Sequence, residues 1–325
     1  MLEGAAAEAW QVAPSTLVAT AVAQLDDALG QDHSAVLPSR MWRAPERAPL
    51  LDQTVGYNGS SVQVRCWHPV LAAALDHMMA PIRSSGTPRC TLDLLVEESR
   101  TALLVDGVFK YEVPRIAWTP LIRRLARELH PERAFAAVVH AATVISPGRG
   151  QVMIAGATGA GKTTLALGLL AAGGTLLADD VTPIEVESHL AWPCGLAMGV
   201  KQGSWSILDR LFPQLAEASS ARIAVGPRNI RFVTAFRQAP ADQGRPISML
   251  IFPQWTAGSS LHITPLRPAE ALRRLASGGT WPVDDSHHLP EFLAWLQSVP
   301  AYHLVYDDLS HGVEAVHGLL CSRRS

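Results

Sequence analysis

The chain has 325 residues, 48% of them apolar, with 27 basic against 29 acidic side chains and a formal net charge of -2 at pH 7. That balance excludes a general electrostatic attraction to nucleic acid or anionic lipid. No run reaches the ~18 apolar residues a membrane helix needs, and the opening stretch MLEGAAAEAW carries Glu3 and Glu8 where a signal peptide would be basic, so a cytoplasmic protein of two domains is expected.

In chain order, the first ~35 residues read as one or two alanine-rich helices, Ala5 to Leu29, followed by a Pro-, Arg- and Trp-rich linker, LPSRMWRAPERAP. Alternating runs come next: SVQVRCW, CTLDLLVEE and TALLVDGVFKYEV, the last with the hairpin pair Asp106-Gly107. They define a small α+β N-terminal domain, residues 1–125, whose residues name no chemistry. Residues 126–325 form the second domain. The stretch TPLIRRLARELHPERAFAAVVHAATV, starting at Thr119, leads into it and reads as helical. Then GQVMIAGATGAGKTTLALGLLAAGGTLLADDVTPIE reads as strand, glycine loop, helix, Gly-Gly reversal and strand; SMLIFPQ is a buried strand, PAEALRRLA a helix, and AYHLVYDDL a strand before a short last helix. Alternating strands and helices imply an α/β core. Cys66, Cys90, Cys194 and Cys321 form no C-x-x-C pair, which argues against a disulfide framework or zinc ribbon, and the nine tryptophans are too dispersed to form a stacking platform for nucleic acid.

The glycine loop carries the chemistry. Gly156, Ala157, Thr158, Gly159, Ala160, Gly161, Lys162, Thr163 and Thr164 fit G-x-x-x-x-G-K-[ST] between an apolar strand and a helix. Glycines let backbone N–H groups turn toward a phosphate chain, and the helix N-terminus adds partial positive charge. Lys162 can reach the β and γ phosphates of ATP, and the Thr163 hydroxyl can take a position on Mg²⁺. Only three lysines occur, Lys110, Lys162 and Lys201, against 24 arginines, so a retained ammonium is informative.

Asp179 and Asp180 follow Lys162 by 17 and 18 positions. A helix of about ten residues leads ~15 Å away, the glycines reverse the chain, and a strand of four or five residues returns about as far. The acids are therefore expected beside the phosphates, one orienting Mg²⁺ and the other accepting a proton.

The stretch HAATVISPGRGQVMIAGATGAGKTTLALGLLAAGGTLLADDVTPIE resembles the catalytic core of the HPr kinase/phosphorylase family, with looser likeness in GLAMGVKQGSW, FPQ, PLRPAEALRRL and PAYHLVYDDL. The resemblance implies a P-loop kinase core of HPr-kinase C-terminal type and a serine kinase using ATP and Mg²⁺. It implies that His140 is an active-site histidine, Lys162 a phosphate clamp, Thr163 a Mg²⁺ ligand, Asp180 the proton acceptor and Asp179 its neighbour assisting the metal. Family kinases often form hexamers, so a homo-oligomer is implied. The family's bifunctional enzymes carry a glutamate-arginine-glycine segment after the aspartates; GLAMGVKQGSW has no acid, which puts phosphorylase activity and HPr as acceptor in doubt. Relatives of this type modify ribosomally made peptides, lasso-peptide precursors among them, so a peptide or protein bearing a serine is the expected acceptor, with no nucleic acid and no membrane.

Weaker candidates are Lys201, as a contact to phosphate or acceptor carboxylate, and Arg228 and Arg231, read as a loop that closes over nucleotide or substrate. A metal reading of DDSHHL is outweighed by a helix start, and Asp307-Asp308 reads as a cap for the last helix. Three rivals remain: HPr kinase proper, a small-molecule kinase, and a P-loop ATPase or switch that transfers nothing. Against the last, no LSGGQ-like or N-K-x-D signature occurs.

Overall fold

The structure is a computed structural model describing residues 41–215, 222–225, 228–278, 281–282 and 288–322. The expected helices of Ala5 to Leu29, the start of the linker and Asp284 to His287 lie outside them.

Five strands build the N-terminal sheet: β1 (Leu51–Tyr57), β2 (Ser60–Cys66), β3 (Thr91–Glu97), β4 (Arg100–Val105) and β5 (Val108–Val113), in that spatial order. Strand β2 alternates as its sequence demands, burying Ser60, Val62, Val64 and Cys66. Between β2 and β3, the one parallel pair, runs α1 (Pro69–Met78), which the reading of the sequence did not anticipate. Asp106 and Gly107 form the expected two-residue turn, both at positive φ. Helix α2 (Thr119–Glu128) lays Leu121, Ile122 and Leu125 on this sheet.

The long helix expected after Thr119 is corrected at this point. Helix α2 ends before Pro131, and the remainder forms β6 (Phe135–Val139) and β7 (Ala141–Ser146). Phe135 to Val139 are all buried, and a short apolar run with β-branched residues, buried on both faces, is better served by a strand than by a helix.

The chain then forms β8 (Gly150–Ala155), α3 (Lys162–Ala171), β9 (Thr175–Ala178), β10 (Thr182–Glu185), β11 (Leu190–Ala191), β12 (Met198–Lys201), α4 (Trp205–Leu211), β13 (Arg222–Val225) and β14 (Arg228–Val233). It closes with β15 (Arg245–Pro246), β16 (Met249–Trp255), β17 (His262–Leu266), α5 (Pro268–Ser277), β18 (Trp281–Pro282), α6 (Leu289–Ser298), β19 (Ala301–Tyr306) and α7 (Leu309–Cys321). The fold of the described residues is mixed α/β.

The central sheet has six strands in the order β17-β19-β16-β8-β7-β9. Strands β8, β16 and β19 are parallel, while β7 is antiparallel to both β8 and β9, so β9 runs the same way as β8. Both faces are covered. Val152 and Ile154 point to one side, under α3 and α7, whereas Met153 and Ala155 point to the other, under α5 and α6. Helix α7 seats tightly on α3 because Gly168 leaves room: a Cβ there would stand 2.7 Å from Val313 Cγ2. A second sheet, β15-β11-β10-β6-β18, and a three-stranded one, β12-β14-β13, flank the centre. The apolar cluster of the N-terminal sheet continues through Val138, Val181, Leu196, Ile230 and Phe232, so the core crosses residue 125. No helix among the described residues is long and apolar enough to cross a membrane.

Candidate active site

Three connections between elements meet at one end of the central sheet. Strand β8 ends at Ala155 and delivers the glycine loop, β9 ends at Ala178 and delivers Asp179 and Asp180, and β7 begins just after His140. The registers Ala141↔Ala155 and Thr143↔Ala178 align these points across neighbouring strands. The carboxyl ends of parallel strands are where α/β sheets bind ligands.

Helix α3 starts with no side-chain cap. Its N-cap is Gly161 at φ +97, a left-handed conformation costly for any residue with a Cβ, and the helical ladder begins only with the Leu165 N–H bonded to the Gly161 carbonyl. The first-turn N–H groups are left for an anion. Lys162 folds back over the loop, donating from Nζ to the carbonyls of Gly156 at 2.6 Å and Ala157 at 3.2 Å. Burial lowers its pKa, aided by the charge of Lys201 and opposed by Asp180 and Asp179. Thr163 is half-buried in the first turn. Thr164 shares a 2.9 Å hydrogen bond with the Ser204 hydroxyl, tying the start of α3 to the turn after β12 and leaving its backbone, not its hydroxyl, for a ligand.

Asp179 is only 6% exposed, and its Oδ2 accepts the Gly199 N–H at 2.8 Å. Burial, reinforced by the Asp180 charge, pushes its carboxyl up to about 8; the Gly199 amide, Lys201 and Lys162 act the other way. Asp180 stands at the centre of a three-residue kink with φ +62, across which the Val181 N–H reaches the Asp179 carbonyl at 2.7 Å, and the chain runs on into β10 in the direction of β9. A left-handed aspartate is tolerated but uncommon, and such strain gathers at functional positions. The Asp180 carbonyl accepts from His140 Nδ1 at 2.9 Å. That bond orients the ring with Nδ1 as donor, while burial lowers the His140 pKa, opposed by the Asp180 charge and aided by Lys162.

Lys201 ends β12 two residues after Gly199, so the alternation of the strand places both on one face, toward Asp179. The expected loop of Arg228 and Arg231 is corrected: both lie on β14, paired with β12 and β13. Arg231 is 1% exposed, donates to Asp209 Oδ1 at 2.7 Å and lies over the Trp205 ring, so it holds α4 to the sheet. Asp308 caps α7 as expected, accepting from Ser310 N and His311 N. No local pattern points to Gly199, Ser204 or Tyr306, whose fully buried hydroxyl lies 3.2 Å from where a Cβ on Gly161 would stand.

Hard oxygen donors fit Mg²⁺, which is usually held by one or two carboxylates together with substrate phosphates. The Thr163 hydroxyl and the carboxyls of Asp179 and Asp180 are donors of that kind. Among the described residues no cluster of three or more His, Cys, Asp or Glu gathers into an all-protein cage. Neither the models of known protein families nor the curated proteins yield a match to this chain.

Proposed function

We propose that the chain is an ATP- and Mg²⁺-dependent serine kinase, related to the HPr kinase/phosphorylase family and built on a P-loop core, that phosphorylates a serine of a peptide or protein, a ribosomally made peptide precursor in particular. One observation carries the reading. The strand after the loop helix turns back along β8 and sets a buried and a strained aspartate at the loop's own edge, with His140 bonded to the second of them.

In this mechanism the loop N–H groups and the first turn of α3 bind the phosphates. Lys162 leaves the Gly156 and Ala157 carbonyls for the β and γ oxygens. Thr163 and Asp179 would hold Mg²⁺, whose positive charge would offset that of the phosphates. Asp180, the less buried of the pair, accepts the proton of the serine hydroxyl as its oxygen bonds to the γ-phosphorus and ADP departs. Asp179 stays fixed behind it by the Gly199 amide. Positioning and charge compensation supply most of the rate, since phosphoryl transfer asks little covalent chemistry of a protein. The position of GLAMGVKQGSW is taken by Gly199 and Lys201 rather than an acid, so phosphorolysis of phosphoserine is not part of the proposal.

The test is incubation of the full chain with γ-labelled ATP, Mg²⁺ and peptides encoded by neighbouring genes, with HPr and free serine in parallel, followed by mass spectrometry. Phosphoserine on a peptide supports the reading. Label on free serine or HPr would assign a different acceptor class, and ATP consumption without any labelled serine would remove the kinase.

A further inference from the structure

We propose that Trp255 is the platform on which the base of the bound nucleotide stacks, an inference that rests on the loop's being a nucleotide site. Among the described residues it is the one aromatic side chain in the set of exposed large apolar groups, 54% accessible, and it stands against the glycine loop. It ends β16, the strand beside β8 on the side away from β9. Its N–H reaches the Ala160 carbonyl at 3.4 Å, and its Cβ lies 3.5 Å from where a Cβ on Gly161 would be.

The indole is fixed as well as exposed. Nε1 donates to the Asp307 carbonyl at 2.8 Å, and the following residue, Thr256, donates its N–H to the Tyr306 carbonyl at 2.9 Å. With its one donor satisfied by the backbone, the ring has only its π face to offer, and it is already ordered, so stacking costs little conformational freedom. Scattered exposed apolar residues are ordinary on any protein. This one differs in being immobilised next to the loop.

Polarity supplies the occupant. The acids at the end of β9 fix where the γ phosphate must lie. The phosphate chain runs along the loop at the end of β8, so its other end points past β8 toward β16. Three strand spacings separate β9 from β16, about 14 Å, a span that an extended nucleoside triphosphate bridges. The base then arrives over Trp255. A face without hydrogen-bond groups stacks any base, so the platform supplies affinity without choosing among nucleotides.

The test is calorimetric titration of wild type, Trp255→Ala and Trp255→Phe with Mg·ATP and, separately, with magnesium tripolyphosphate, which has the phosphates and no base. Trp255→Ala is expected to bind ATP about 5- to 150-fold more weakly and tripolyphosphate as wild type does. Trp255→Phe, keeping a ring but not the Nε1 bond, is expected to stay within about threefold of wild type. Wild-type ATP affinity in Trp255→Ala overturns the platform and leaves the loop reading standing. Equal weakening toward ATP and tripolyphosphate also overturns it, because the loss then comes from the loop contact at Ala160. If wild type binds neither compound, the nucleotide reading falls and the platform with it.

Discussion

Asp93 in the N-terminal sheet and Asp179 at the edge of the central sheet are both buried carboxylates, and the chain treats them in opposite ways. Asp93 is fully buried and gripped bidentately by Arg65, Nε to Oδ1 at 2.7 Å and Nη2 to Oδ2 at 2.8 Å. Glu128, under the same sheet, is met by Arg89 at 2.6 Å and Arg124 at 2.5 Å. Asp179 has one backbone amide and, among the described residues, no ion pair. Lys162, the nearby ammonium that would pair with it, donates to loop carbonyls instead. A buried carboxyl without an ionic partner is costly, and a fold that needs only stability would pair it or replace it. The N-terminal sheet settles its charges internally, whereas the central sheet leaves carboxylates and a lysine to be completed from outside.

The helix starts repeat the contrast. Helix α7 is capped by the Asp308 side chain, while α3, beginning at the same edge, has a glycine at that position and no cap. One N-terminus is closed by a side chain and the other is left open.

The largest effect that would break this comparison is catalytic. Asp180→Asn is expected to lower phosphoryl transfer by about 10²- to 10⁴-fold while nucleotide affinity holds, measured with γ-labelled ATP and a phosphorylated peptide under single turnover. A variant that transfers at the wild-type rate removes Asp180 as the proton acceptor.

Next come the two buried aspartates, compared by urea unfolding at pH 7. Asp93→Asn breaks a bidentate pair and is expected to cost about 2 to 4 kcal/mol, at the lower end because Arg65 is 32% exposed and can turn to water. Its transfer rate should match wild type once folded. Asp179→Asn keeps an acceptor for the Gly199 amide and removes an uncompensated buried carboxyl, so its stability should be unchanged or higher by about 1 to 2 kcal/mol while transfer falls. Equal destabilisation by the two substitutions would erase the distinction between a paired structural acid and an unpaired functional one.

The smallest effect concerns the seam between the regions. His130 is fully buried among Tyr57, Phe135 and Trp192, donates from Nε2 to the Pro193 carbonyl at 2.8 Å, and among the described residues has no partner at Nδ1. Burial lowers its pKa, against the pull of the Pro193 carbonyl, Glu132 and Glu185 and with the push of Arg133. The native state therefore keeps it neutral where the unfolded chain takes up a proton. The sign follows: its contribution is whole above about pH 6.5 and is lost as pH falls through that value toward the depressed native one, by at most about 1.4 kcal/mol per pH unit. His130→Gln, which can keep the bond to Pro193 and cannot titrate, should flatten that part of the stability profile between pH 7.5 and 5.

Much of the central region was legible in the residues. The loop, its helix, the Gly173-Gly174 reversal and the short strand after it occur where spacing placed them, because each is set by local backbone chemistry. The misreadings have physical causes too. Leucines and arginines at helical spacing ran into buried alanines and valines, and periodicity alone cannot separate a doubly buried strand from a helix, so β6 and β7 were read as one helix with α2. Pro and Gly around Arg228 and Arg231 signalled a loop where β14 bridges β12 and β13, since pairing partners far along the chain leave no local trace.

What the sequence determined by itself was the glycine turn and the distance in residues from it to the acids, both fixed by φ/ψ preference and by the rise of a helix and a strand. Only the tertiary structure decided which groups those acids meet. Strand β7 inserted itself between β8 and β9, the Gly199 amide came to Asp179, His140 to the Asp180 carbonyl, and Trp255 to the far side of the loop. Each of these contacts joins segments far apart in the chain, and their pairing depends on which buried faces fit together, a quantity that no stretch of residues carries alone.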